Sequence, residues 1–127
     1  IMSDLEKNRP LSPHLQVYKW QLSSLLSITH RLTSIINIAA ISLICFWIIS
    51  LYLGENYYKY FQIFSSSMVG KFILIGFTWS FCYHLLNGLR HLSWDFGYGY
   101  EIKIANFSGA LVVVVSFFLT TALWFFI

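Results

Sequence analysis

A chain of 127 residues has room for one domain. Only 10% of its side chains are charged and 57% are hydrophobic, against about 25% charged in a soluble globule, so a wholly water-exposed surface is excluded and lipid has to cover much of it. The formal charge of +3 comes from scattered basic residues, with no basic stripe of the kind nucleic-acid binding needs.

Composition and run length predict an all-α membrane protein, a single membrane-anchor domain over 1–127. Residues 1–22 read as an N-terminal interfacial arm, in which Pro10 and Pro13 keep "RPLSPH" from being helical. Three transmembrane helices follow, at about 23–53, 66–91 and 104–127. Their apolar cores, Leu32–Leu53, Phe72–Leu89 and Ile104–Ile127, approach or exceed the ~20 residues that cross ~30 Å of hydrocarbon. Runs of this length without period-2 alternation favour helices over barrel strands. The aromatic-rich stretch "GENYYKYFQIFSSSMVGK" is expected to be an interfacial loop, and residues 91–103, with "GYGY", a second short loop. Cys45 and Cys82 stand singly in apolar runs and read as small buried hydrophobes.

Lysine and arginine counts set the expected orientation. The arm, the first helix entrance and the second loop hold Lys7, Arg9, Lys19, Arg31, Arg90 and Lys103; the opposite side holds Lys59 and Lys71. Six against two places the N-terminus inside, in matrix or cytoplasm.

This topology brings "SITHRLTS" and "HLLNGLRHLSWD" to one membrane depth. Ser27, His30, Arg31, His84, Arg90, His91 and Asp95 then share a layer. Ser27 and Arg31 are i, i+4 on one helix face, while His84, Gly88, His91 and Asp95 form a stripe on the next span. His84 lies roughly 10 Å deeper than His91 at 1.5 Å per residue. An ionisable group so deep is costly and usually faces a bundle interior or a cofactor. A neutral imidazole can ligate haem iron, or simply hydrogen-bond a neighbouring helix. Gly88 removes bulk where something flat can lie against the backbone. Arg31, Arg90 and His91 suit either anions such as haem propionates or, for the arginines, snorkelling to lipid phosphates, which is the reading favoured for Arg90. Trp20 and Trp94 fit an interfacial aromatic belt.

"RPLSPHLQVY", then "SITHRLT", then "HLLNGLRHLSWDFGYG", in that order and on those helices, resemble the cytochrome b subunit of succinate dehydrogenase, respiratory complex II, of the alphaproteobacterial and mitochondrial type. The resemblance covers the whole chain. It implies the larger of two membrane-anchor subunits, carrying no catalytic residue of its own, in a succinate:ubiquinone oxidoreductase of the mitochondrial or bacterial inner membrane. Its implied partners are a flavoprotein, an iron–sulfur subunit, a second small three-helix anchor and membrane lipid, with no nucleic acid. Its implied cofactor is haem b, shared with the second anchor, and ubiquinone is the implied substrate. By the same resemblance His84 is the axial iron ligand; His30, Arg31 and His91 lie near the haem propionates; and Ser27, Arg31, Trp20 and Ile28 belong to the quinone site. One departure is Ser34, where the family pattern H-R-x-[ST]-G has glycine. Two other readings stay open: a haem-free structural anchor, and a self-contained cytochrome using His30 and His84 as paired ligands.

Overall fold

The computed structural model describes residues 22–127, all of its regular structure helical. The arm, including Trp20, lies outside the described residues. Four helices follow in order: α1 Leu22–Leu53, α2 Glu55–Ser66, α3 Met68–Asp95 and α4 Ile102–Phe126. Helices α1, α3 and α4 are each long and apolar enough to cross a membrane. At 1.5 Å per residue, the 32 residues of α1 extend ~48 Å, longer than a straight crossing of a ~30 Å hydrocarbon layer needs. The three spans all touch one another, and α2 packs against α1 and α3.

The stretch expected as an interfacial loop is helical instead. Gly54 ends α1, and its carbonyl accepts from the amides of Tyr57 and Tyr58 to start α2. Within "ENYYKYFQIFSS", Tyr58, Phe61 and Phe64 are the half-buried aromatic stripe, and Phe61 reaches Trp47 of α1 at 6.2 Å. The apolar period is helical, but tyrosine, asparagine and lysine on the other face mask it in a composition-based reading. Ser67 then separates α2 from α3: its hydroxyl donates to Phe64 O (2.7 Å) and accepts from Gly70 N (3.0 Å). A Cβ at Gly70 would overlap the Phe64 carbonyl, which makes glycine necessary at this junction.

Helix α3 continues to Asp95, past the expected stop near residue 91, and residues 96–101 turn the chain into α4. Gly97 (φ 86°) and Gly99 (φ 75°) occupy the left-handed region that side chains avoid. The turn is tied back to the helix by Trp94 Nε1 donating to Gly99 O (2.9 Å) and Tyr98 N donating to Ser93 O (3.0 Å). "GYGY" is thus a fixed corner.

Packing between the spans is by small and polar side chains. The buried face of α4 is Ala105, Gly109, Val112, Ser116 and Thr120, a stripe at helical spacing. Opposite it, Tyr83 of α3 and Leu26 of α1 pack with Val112, and Arg90 of α3 bonds Ala105 and Ser108, while Ser80 of α3 faces α1 and bonds Thr33 O and Asn37. Large residues such as Ile35, Ile38, Phe118 and Phe126 point outward. In lipid no hydrophobic force drives apolar side chains inward, so close approach and interhelical hydrogen bonds hold the helices together. Cys82 is buried as expected, but Cys45 is exposed on the lipid side of α1, because in a membrane chain hydrophobicity does not predict burial.

Candidate functional site: a histidine ladder between two spans

Three histidines meet in the groove between α1 and α3. The His30 ring stacks on His84 with centroids 4.0 Å apart and planes 9° from parallel. His91 approaches the other side of the cluster, 5.6 Å from His30 and tilted by 53°. A single ring from α1 therefore bridges two rings that stand two turns apart on α3. His91 also meets Trp94 edge-on at 4.7 Å. No group of three His, Cys, Asp or Glu side chains among the described residues is arranged as a metal cage.

His84 is fixed by Thr33. The Thr33 hydroxyl donates to His30 O (2.8 Å) and lies 3.1 Å from His84 Nδ1. The His84 Nε2 has no hydrogen-bond partner among the described residues, and the side chain is half-buried. One turn further along α3, a Cβ placed on Gly88 would meet no atom within 4 Å, so the helix surface beside His84 is open. The Nδ1 of His30 is buried without a partner.

The α1 residues read as quinone-facing separate in exposure. Ser27 is half-buried, and Ile28 and Arg31 are exposed. Thr29, Ser34 and Ser42 each donate to the carbonyl four residues earlier; the Ser27 hydroxyl makes no such bond among the described residues. Asp95 is exposed and pairs with no arginine among them.

Arg90 departs from the snorkelling expectation. It is buried at 7% exposure, donating from Nε to Ser108 Oγ (3.1 Å), from Nη1 to Asn87 Oδ1 (3.1 Å) and from Nη2 to Ala105 O (3.0 Å). Its guanidinium also lies 4.2 Å from the centre of the Trp94 ring, an attractive cation–π placement. The charge is solvated by protein, joining α3 to α4. Trp94 is accordingly committed to Arg90 and the Gly99 corner.

Several of these residues carried no sequence signal as single positions. Thr33, Asn37, Ser80 and Asn87 are ordinary polar residues within apolar runs. The available clue was polar side chains recurring at 80, 83, 87 and 90, a helical stripe deep in a span.

Fold and site together define a multi-pass membrane protein with a polar interior and a histidine ladder in one interhelical groove. A family model described as "Succinate dehydrogenase/Fumarate reductase transmembrane subunit" matches residues 6–123, and the chain belongs to that family. It is 44% identical over 124 residues to the succinate dehydrogenase cytochrome b556 subunit of Rickettsia prowazekii, covering 98% of this chain and 97% of the relative. Identity to the cytochrome b556 subunit of Paracoccus denitrificans is 40% over 116 residues, 91% of this chain and 89% of the relative. The mitochondrial cytochrome b560 subunit of Sus scrofa is 36% identical over 117 residues, 89% of this chain and 68% of the relative. The chain is therefore an integral membrane subunit, of a kind found in both bacteria and mitochondria, that works within a larger dehydrogenase assembly.

Proposed function

We propose that this subunit anchors a succinate dehydrogenase to the inner membrane, supplies one axial ligand to a haem b held jointly with a second anchor subunit, and forms one wall of a ubiquinone site. The observation that carries this is His84: Nδ1 is engaged by Thr33, Nε2 is unengaged, and the neighbouring helix surface at Gly88 is open. A neutral imidazole with one nitrogen occupied inside the protein and the other free is the state a haem iron needs from a histidine. When bound, haem supplies a one-electron carrier. His30, with an unpartnered Nδ1, His91 and the exposed Arg31 offer donors and charge for its propionates. A flavoprotein partner would oxidise succinate, and an iron–sulfur partner would carry the electrons to this anchor.

The paired-ligand alternative lacks the needed geometry. His30 and His84 lie stacked and nearly parallel with centroids 4.0 Å apart, which leaves no room for a flat macrocycle between them. This favours His84 as the single ligand from α1 and α3, with a partner chain to supply the second.

For the quinone, Ser27 offers a hydroxyl without a partner among the described residues and Arg31 a positive charge, one turn apart on α1, with the exposed Ile28 as an apolar wall; the family resemblance adds Trp20, which lies outside the described residues. A hydroxyl orients a quinone carbonyl, and a guanidinium favours the charge that develops on its reduction.

His84→Leu in the assembled complex tests the central claim. Its reduced-minus-oxidised spectrum should lose the low-spin haem band, while His91→Leu should keep the band with altered haem retention. An unchanged band in His84→Leu would exclude His84 as the ligand.

A further inference from the structure

The hydroxyl that holds His84 belongs to a residue buried to 1% exposure, Thr33. We infer that Thr33 is a positioning residue for His84: it selects the tautomer that leaves Nε2 free and strengthens the ring as an electron-pair donor. This rests on the proposal that His84 ligates haem iron.

The tautomer follows from counting hydrogens. Thr33 has one hydroxyl hydrogen, and His30 O lies within 2.8 Å to receive it. If His84 carries its proton on Nδ1, that N–H donates to the Thr33 oxygen at 3.1 Å and both hydrogens are bonded. If the proton sat on Nε2, that N–H would have no acceptor among the described residues. An unpaired donor within a membrane span is costly, so the Nδ1–H form is selected and the lone pair resides on Nε2.

Thr33 is itself gripped from α3. Ser80 Oγ reaches both Thr33 O (3.2 Å) and Asn37 Oδ1 (2.8 Å). Ser80 and His84 are i, i+4, so one face of α3 holds both the carbonyl and the hydroxyl of the same threonine. The register of α1 against α3 thus fixes where the His84 ring stands. An acceptor on Nδ1–H draws that proton away from the ring and raises the basicity of the ligating nitrogen. A more basic ligand favours the oxidised iron, so losing the bond should raise the haem midpoint potential.

The test is a redox titration of the haem band in the assembled complex for Thr33→Ser, Thr33→Ala and Thr33→Val, with Ser34→Ala as control. Ser34 donates to the same His30 carbonyl (3.1 Å) and makes no hydrogen bond to His84. Thr33→Ser retains the hydroxyl and should titrate like wild type, as should Ser34→Ala. Thr33→Ala and Thr33→Val should shift the reduced-to-oxidised ratio at fixed ambient potential at least about threefold toward reduced, or ~28 mV at 59 mV per tenfold for one electron. Complete haem loss in both, with haem retained in Thr33→Ser, carries the same conclusion. Wild-type potentials in Thr33→Ala and Thr33→Val overturn the inference, as does an equal shift or haem loss in Thr33→Ser or Ser34→Ala. His84→Leu, measured alongside, separates the two claims. If it keeps the low-spin band, the ligand assignment itself fails. If it loses the band while the Thr33 series stays at wild-type potential, only the role of Thr33 fails.

Discussion

Gly88 separates a structural from a ligand-facing account at the level of one residue. A Cβ there meets nothing, and alanine is more favourable than glycine in a helix by roughly 0.5–1 kcal/mol. Gly88→Ala should therefore leave the helix bundle as stable or slightly more so. Gly88→Leu should also fold, because the space is open, yet it should lower haem content in the assembled complex by filling the surface beside His84. Normal haem content in Gly88→Leu would show that nothing lies against this face. At the proposed quinone wall, Ser27→Ala removes one donor and should weaken quinone binding several-fold, about 0.5–1.5 kcal/mol for a neutral hydrogen bond. Arg31→Leu should cost more because it removes a charge. Both should preserve succinate oxidation with an acceptor that takes electrons upstream of the quinone, so the ratio of quinone-linked to artificial-acceptor activity is the measurement. A ratio equal to wild type in both variants removes Ser27 and Arg31 from the site. The residue types were legible in advance because depth makes them costly: a histidine like His84 in an apolar run requires a reason. Thr33 and Asn37 were not, since a threonine or asparagine in a span is cheap to explain singly and acquires meaning only from a partner more than forty residues away.

At the level of elements, run length is a local property, and the three spans could be read directly from it. Helix α2 could not, because its apolar stripe is three half-buried aromatics against a polar remainder. Its helicity depends on packing against α1 and α3, a long-range fact. Contacts between helices were equally hidden, and Gly109 shows why. A Cβ at Gly109 would collide with Leu26 Cδ1, so α1 and α4 cross closely at this point. Gly109→Ala should destabilise by about 1–3 kcal/mol through overpacking, despite the better helix propensity of alanine. Leu26→Ala should cost about 2–5 kcal/mol by opening a cavity, since Leu26 is buried within the Tyr83–Val112 cluster. The double variant should be less destabilised than the sum, because the new methyl occupies part of the space vacated. Denaturation in mixed detergent, read as a double-mutant cycle, checks this; strict additivity would mean the two side chains do not share a contact. The α3–α4 seam rests on Arg90. Arg90→Ala would leave Asn87 Oδ1 without that donor and remove a shared partner from Ala105 O and Ser108 Oγ. A buried polar group left unsatisfied costs about 1–3 kcal/mol. Arg90→Lys should recover little, because an ammonium cannot reproduce the planar fork.

Across the whole molecule, polarity is arranged opposite to that of a soluble protein, with small and polar groups inside and large apolar groups outside. That arrangement fixes a membrane-spanning orientation axis but leaves its sign to the charged ends. Arg31, Arg90 and Lys103 lie toward the end that carries the α3–α4 corner, and Lys59 and Lys71 flank the other end; Lys7, Arg9 and Lys19 precede α1 in the sequence. Arg90 is enclosed against α4 and is the weakest contributor to a topogenic count. Removing it still leaves five basic residues against two, so the α3–α4 corner is proposed to face matrix or cytoplasm. The prediction is tested with single cysteines in a chain whose Cys45 and Cys82 are replaced by alanine. Tyr98, exposed on the corner, and Tyr57, exposed on α2, are the two reporter positions. In sealed vesicles of inside-out orientation, a membrane-impermeant maleimide should label Tyr98→Cys and spare Tyr57→Cys until detergent is added. Right-side-out vesicles should give the reverse. Labelling of Tyr57→Cys alone in inside-out vesicles would invert the topology, placing the Ser27–Arg31 wall and the histidine ladder on the outer half of the membrane. An iron–sulfur partner docked on the inner side, as proposed, could not then deliver electrons to the proposed quinone wall.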